Sequence, residues 1–138
     1  MSVKAVAKDV QHSPRKVMVV VALVRGRTVE EALTILEHVP RRSALAVIKV
    51  IQSAKANADH NHGYKPSTLR ITEISVTHGA RIKRFRPAAH GRALPFVKRS
   101  SHIRVIVDGE LRPAAAAAKT EVKKPAAKKP VTEEKETK

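Results

Sequence analysis

Seven Lys or Arg residues lie between Gly79 and His102, with neither Asp nor Glu among them. They are Arg81, Lys83, Arg84 and Arg86, then Arg92, then Lys98 and Arg99. Fixed cations at this density suit one kind of chemistry, the binding of a polyanion, because nothing within the segment can neutralise them. If each takes one phosphate, log affinity falls against log salt with a slope of roughly −0.7 to −0.9 per contact. Such contacts position a protein on a nucleic acid without reading its bases.

Other residue groups invite sharper chemistry and support it less. Ser100, Ser101 and His102 contain a nucleophile and a base, but neighbours on a strand point to opposite faces, so His102 is badly placed to activate Ser101. Asp59, His60 and His62 are metal-ligand types at a spacing that suits no common site, and contact with solvent or RNA is the simpler use. Arg41 and Arg42 mark either a solvated helix start or a phosphate contact. Phe85 and Phe96 flank the tip of the basic run, where they either pair across it or stack on bases, with pairing preferred. No metal or cofactor is implied, and no enzymatic activity.

The elements that position these residues follow from pattern. Val3 to Val10 alternates and predicts a strand. Ser13-Pro14 predicts a helix start, with the Ser13 hydroxyl accepting an orphan N–H and proline at the first helical position. That helix is expected to reach Arg25 and to use Gly26 as a left-handed cap, although its valines also suit a strand. Thr28 and Glu31 have capping-box spacing and open a second helix, with Ala32, Leu33, Ile35, Leu36 and Val39 on its apolar face. A third helix is expected from about Arg41 to Asn61, with Leu45, Ile48, Ile51, Ala54 and Ala58 as its apolar stripe and Gly63 as its stop. A loop over Tyr64 to Ser67 precedes a strand from Leu69 to Thr77. The apolar phase of that strand shifts between Ile71 and Ile74, which predicts a bulge. The basic run then forms a hairpin over 79–102 that turns at Pro87 to Gly91, and Ile103 to Val107 forms a last strand. Arms of about eleven residues would reach ~35 Å, while Pro87 and Pro95 remove ladder donors. The expected architecture is α+β: three helices packed on a three-stranded antiparallel sheet, with a long protruding basic β-hairpin.

Composition sets the outer bounds. The chain has 138 residues and a net charge of +16. Residues 1–112 hold 21 Lys or Arg against 8 Asp or Glu, and residues 113–138 hold 7 against 4, so the body carries most of the excess. One globular domain is expected over 1–112, followed by an Ala/Pro/Lys-rich segment over 113–138 that lacks the apolar residues needed to order itself. The absence of Cys removes disulfides and thiol catalysis, so no oxidising compartment is needed. Val17 to Val24 is the longest apolar run, far short of the ~20 residues of a membrane span. Arg25-Gly26-Arg27 stands where a signal peptide would need a small-residue cleavage site. Two further classes stay in view. A DNA-binding module could use Ser13 to Arg25 or the third helix, but base-reading side chains are few there. A cationic membrane-active protein would need an amphipathic basic helix, which is missing.

Lys83 to Arg92 reads K-R-F-R-P-A-A-H-G-R, and after nine further residues His102 begins H-I-R-V-I-V. This pattern resembles the signature of the large-subunit ribosomal protein family numbered twenty-two in the bacterial scheme. The residues that carry it are Lys83, Pro87, Ala89, Gly91, Arg92, His102, Ile103, Val105 and Val107. S-P-R-K-V at 13–17, L-V-R-G at 23–26 and S-A-K-A-N-A-D-H-N at 53–61 are similar to family segments, so the resemblance covers roughly residues 5–109. It implies a globular domain near the outer opening of the polypeptide exit tunnel and a hairpin threaded between domains of 23S-type rRNA, with the tip lining a tunnel constriction. It also implies a part in subunit assembly and a tip that bears on macrolides and stalling nascent chains. The chain departs from the pattern at Ala88, where arginine is usual, and at His90, where a longer basic residue is common.

Residue pattern and resemblance together nominate rRNA-binding positions at Ser13, Arg15, Lys16, Arg25, Arg27, Arg81, Lys83, Arg84, Arg86, Arg92, Lys98, Arg99 and His102. The tunnel tip is Pro87, Ala88, Ala89, His90 and Gly91. Expected partners are large-subunit rRNA, neighbouring large-subunit proteins and the nascent polypeptide, in the cytoplasmic ribosome and with no membrane. The alternative is a sequence-tolerant DNA- or RNA-binding basic module outside the ribosome.

Overall fold

A computed structural model describes residues 2–112, and the expectation for 113–138 lies outside them. The elements are β1 (Val3–Val10), α1 (Pro14–Val24), α2 (Val29–His38), α3 (Arg42–His62), β2 (Arg70–Pro87) and β3 (Ala93–Asp108). The sheet is antiparallel in the order β1-β3-β2. Helices α1 and α3 pack on one face of it, and α2 packs against both. The expected α+β class, with three helices and three strands, is the one observed. The 69–77 strand and the outgoing arm of the hairpin are one element, the 18 residues of β2, and the return arm continues without a break into β3.

Burial explains why α1 is a helix despite its valines. Val17, Val20, Val21 and Val24 recur every three or four residues and are at most 1% exposed, so helical phase sends all four into the core. Ser13 occupies the N-cap position, but its side chain makes no capping bond, contrary to expectation. The capping is carried by the backbone, since Ser13 O accepts from both Lys16 N and Val17 N. Arg25 rather than Gly26 holds the C-cap, in extended conformation, and Gly26 follows with φ 74°. Thr28 does cap α2, its hydroxyl accepting from Glu31 N at 3.3 Å.

The apolar stripe expected on α3 holds at Ile51, Ala54 and Ala58, with Ile48 half-buried, and fails only at its start. Leu45 is 65% exposed, and the buried set is Ala44, Val47, Val50, Ile51, Ala54 and Ala58. Either start satisfies a three-or-four spacing. At the start of the helix Ala44 rather than Leu45 turns inward, where α3 lies against β1 and β3 and an alanine allows close approach. Gly63 ends α3 at φ 63°, and Tyr64 N donates to Ala58 O at 3.0 Å, closing a Schellman-type cap that only a left-handed residue permits. Tyr64, in the stretch expected to be a loop, is 1% exposed and part of the core. The chain returns beside it, because Lys65 N bonds Glu110 O, Arg112 N bonds Gly63 O and Arg112 pairs with Asp59 at 2.7 Å.

The bulge predicted in β2 is present between Ile71 and Glu73. It places Ile71 opposite Val107 and Ile74 opposite Val105, so both isoleucines face the helices with Ile103, Val105 and Val107. An unbulged strand would turn one of them outward.

The buried stripe of α3 and the exposed Leu45 make different predictions. Ile51→Ala should cost about 2–5 kcal/mol, as expected for a truncated core residue, whereas Leu45→Ala should stay within about 0.5 kcal/mol. Urea unfolding of the two variants measures both.

Candidate nucleic-acid interface

The hairpin emerges where burial stops. Ser101 is the last fully buried residue of β3 on the way to the tip, and Ala80–Pro87 and Gly91–Arg99 are all exposed. Beyond the root the paired arms are Arg81–Pro87 and Ala93–Arg99. Seven residues span about 23 Å, shorter than the ~35 Å expected from eleven, because the first residues of each arm belong to the sheet.

A second bulge in β2, between His78 and Arg81, sits at this root. Gly79 is there because nothing larger fits: a Cβ would lie 2.5 Å from Ser100 Oγ and 3.1 Å from both Ser100 C and Ser101 N. Ser100 Oγ donates to Ala80 O at 2.9 Å and holds the bulged backbone. On the other edge β1 is irregular at the same level, between Ala7 and Val10, with Asp9 at φ 54°. Asp9 N donates to His102 Nδ1 at 3.0 Å. The Asp9 carboxylate lies 4.0 Å from the same nitrogen. The shorter contact makes Nδ1 an acceptor and leaves the proton on Nε2, so the hydrogen bond, rather than an ion pair, describes the neutral ring. Ser101 Oγ is buried without a hydrogen-bond partner, while half-buried His102 is held on the other face, so the two do not meet.

Register places cations on both faces of the hairpin. Arg81 faces Arg99 and Lys83 faces Val97, with Phe85 opposite Pro95 on the same side. Ile82 faces Lys98, Arg84 faces Phe96 and Arg86 faces Leu94 on the other. Each face therefore carries three cations. Arg81 and Arg99 are a directly opposed like-charge pair, which weakens the isolated hairpin. Among the described residues the carboxylate ion pairs are those of Lys55 and Arg112, and His102 is the other residue with a carboxylate nearby, so no Lys or Arg of the hairpin has one.

The aromatic residues do not pair, contrary to expectation. One step of register separates them onto opposite faces. The Arg86 guanidinium instead lies 4.9 Å from the Phe96 ring centroid, a cation–π contact that orders one arginine. Phe85 is 72% exposed. At the tip, Ala88 N donates to Arg92 O at 2.8 Å and closes the turn. His90 at φ 57° and Gly91 at φ 68° reverse the chain in left-handed conformation. Among the five tip residues only the His90 imidazole can carry a charge, and Arg92 stands just behind.

The remaining nominated residues fall into two places. Ser13, Arg15 and Lys16 open α1 and follow directly from the end of β1 near the hairpin root. Arg25 and Arg27 lie at the other end of α1, beside the start of β2 that is farthest from the tip, where Arg27 O accepts from Ile71 N. Arg25 bonds Ile74 O at 3.4 Å and Arg27 Nε bonds Leu23 O at 3.0 Å, so both are partly engaged with backbone. Asp59 is engaged by Arg112, and His62 meets Tyr64 edge-on at 6.4 Å. Among the described residues no group of side chains is arranged to hold a metal. The root residues Asp9, Gly79 and Ser100 escaped the sequence reading because their roles depend on three strands meeting; a glycine interrupting a basic strand was the only trace.

This combination, a small α+β domain with a two-faced cationic hairpin, has known counterparts. Residues 5–108 match the family described as ribosomal protein L22p/L17e. The large ribosomal subunit protein uL22 of Oceanobacillus iheyensis is 51% identical over 107 residues, 78% of this chain and 95% of the relative. Those of Herpetosiphon aurantiacus and Lactobacillus helveticus are 48% identical over 108 residues and 49% over 106, covering 96% and 91% of their own lengths. The chain belongs to the ribosomal protein L22p/L17e family.

The root bulge makes its own prediction. Gly79→Ala should destabilise the protein by about 1–3 kcal/mol through overpacking. Adding Ser100→Ala removes the nearest clash, so the double variant should lose less than the sum of the two single variants. A double-mutant cycle by chemical denaturation measures the coupling.

Proposed function

We propose that this protein is a structural component of the large ribosomal subunit in the cytoplasm, with 1–112 as its rRNA-binding domain, and that its hairpin binds large-subunit rRNA. The observation that carries this is the presence of three cations on each face of the hairpin with no carboxylate among the described residues to neutralise them. A duplex groove would neutralise one face. Packed RNA surrounding the hairpin neutralises both, and a phosphate on either side of Arg81 and Arg99 turns their repulsion into attraction. Arg81, Lys83 and Arg99 serve one wall, and Arg84, Arg86 and Lys98 the other. Arg92 holds RNA behind the tip. Ser13, Arg15, Lys16, Arg25, Arg27 and His102 add contacts from the domain, His102 through its free Nε2.

The tip, Pro87 to Gly91, carries no Lys or Arg and suits an open channel better than a phosphate surface. Family resemblance supports reading that channel as the polypeptide exit tunnel, with the nascent chain as passing partner and neighbouring large-subunit proteins around the domain. The role is architectural, in assembly and in shaping the tunnel, rather than catalytic.

Tagged full-length protein expressed in a bacterial host should co-sediment with large subunits. Deleting 84–94 removes no buried residue, so the domain should keep its cooperative unfolding while its affinity for naked large-subunit rRNA falls at least tenfold. Exclusion of the intact protein from large subunits, combined with binding to one preferred duplex DNA sequence, would sink this proposal.

A further inference from the structure

At the hairpin root two residues of β1 stand against one of β3. Ala7 pairs with Ile103 and Val10 with Ser101, so Lys8 and Asp9 together face His102. Asp9 accommodates the extra residue by adopting φ 54°. Left-handed backbone is disfavoured for any residue with a Cβ, although aspartate tolerates it better than most. The bulge therefore needs a partner to hold it, and that partner is the His102 imidazole, whose Nδ1 accepts from Asp9 N at 3.0 Å.

This contact works in one protonation state. A neutral ring with its hydrogen on Nε2 offers Nδ1 as an acceptor, whereas an imidazolium carries N–H on both nitrogens and offers none. The Asp9 carboxylate lies 4.0 Å from the same nitrogen, and its side chain is 66% exposed, so it is free to turn. A proton taken from water onto Nδ1 displaces the Asp9 N–H from its bond and gives the carboxylate a donor in exchange. Histidine is the side chain suited to such an exchange near neutral pH.

The surroundings leave that role to Asp9. Lys8 shares the bulge, Arg104 lies two residues along the same face of β3, and Thr77, opposite His102 on β2, is uncharged. Glu73 stands two pairs further along that face, opposite Ile106. His78 is opposite the buried Ser101, on the side where α1 and α3 pack. Lys98 and Arg99 share a cleft of about 170 Å3 with Asp9 and Gln11. Among the described residues no other carboxylate is within ion-pair reach of the ring.

We propose that His102 is a positioning residue and that its contact with Asp9 is a proton-sensitive latch. Neutral Nδ1 clamps the β1 bulge against the base of the hairpin; protonation hands the ring to the Asp9 carboxylate and releases the bulge. With the latch closed, Asp9 and Gln11 are held beside Lys98 and Arg99, so the latch sets how the edge of the domain meets the return arm. The pairing of β2 with β3 takes no part in it. The latch belongs to the free chain and does not depend on what the hairpin binds.

The test is NMR spectroscopy of the full chain at about pH 8 and about pH 5, on either side of the usual histidine range. At the higher pH the ring nitrogens of His102 should report hydrogen on Nε2, and the Asp9 amide should be protected from exchange. At the lower pH its protection, corrected for the intrinsic exchange rate, should fall by about tenfold or more, while that of Val105 in the buried sheet stays within about twofold. H102N supplies a neutral acceptor where Nδ1 stood and should keep the Asp9 amide protected at both pH values. H102Q has no acceptor there and should leave it unprotected at both. Hydrogen on Nδ1 of the neutral ring, or an Asp9 amide equally protected at both pH values, overturns the latch. So does an H102N variant that loses protection as the parent does, or an H102Q variant that keeps it. The tautomer and the parent's amide need no variant, so they decide the matter even where a substitution prevents folding.

Discussion

The pairing of β2 with β3 is set where both strands are buried and inherited where neither is. Ile71, Ile74, Ile103, Val105 and Val107 can all face the helices in only one register, given the bulge after Ile71. A slip of one residue would turn that apolar set to solvent, so the core holds the register firmly. Both strands run on past the core, and the second bulge, at Gly79, passes the same pleat to the arms. The division of six cations into three and three is thus decided some distance away, by isoleucine and valine packing.

This coupling lets a segment that stabilises nothing remain precisely shaped for its partner. In isolation the hairpin has exposed ladders, two prolines, an opposed Arg81–Arg99 pair and one cation–π contact at Arg86 to offset them. An independent two-stranded hairpin of this kind would be marginal in water. Grown from a sheet that is already paired, it has no separate nucleation to complete. In the proposed role, RNA supplies the neutralisation that the protein lacks, on the surfaces the arms leave unpaired.

Much of this was visible along the chain. The charge run, the helix boundaries near Ser13, Thr28 and Gly63 and the bulge near Ile71 are local signals, each written within a few residues. What was misjudged involves a choice that local pattern leaves open. Leu45 and Ala44 offer two helical phases of equal spacing, and only the neighbouring sheet selects between them. Phe85 and Phe96 look like a cross-strand pair until the register is known, which sets Phe85 opposite Pro95 and Phe96 opposite Arg84. The Ser13 hydroxyl has the right position for a cap that the backbone fulfils instead.

By itself, then, the sequence determined the class of fold, the presence of a basic hairpin and a charge that suits a polyanion, because periodicity, capping and net charge are properties of contiguous residues. Tertiary structure alone decided which face each cation occupies, where the hairpin leaves the sheet and which distant residues meet at its root. Those depend on register and on close approach between strands and helices, as with Gly79 against Ser100, and such distances are set by packing between residues far apart in the chain.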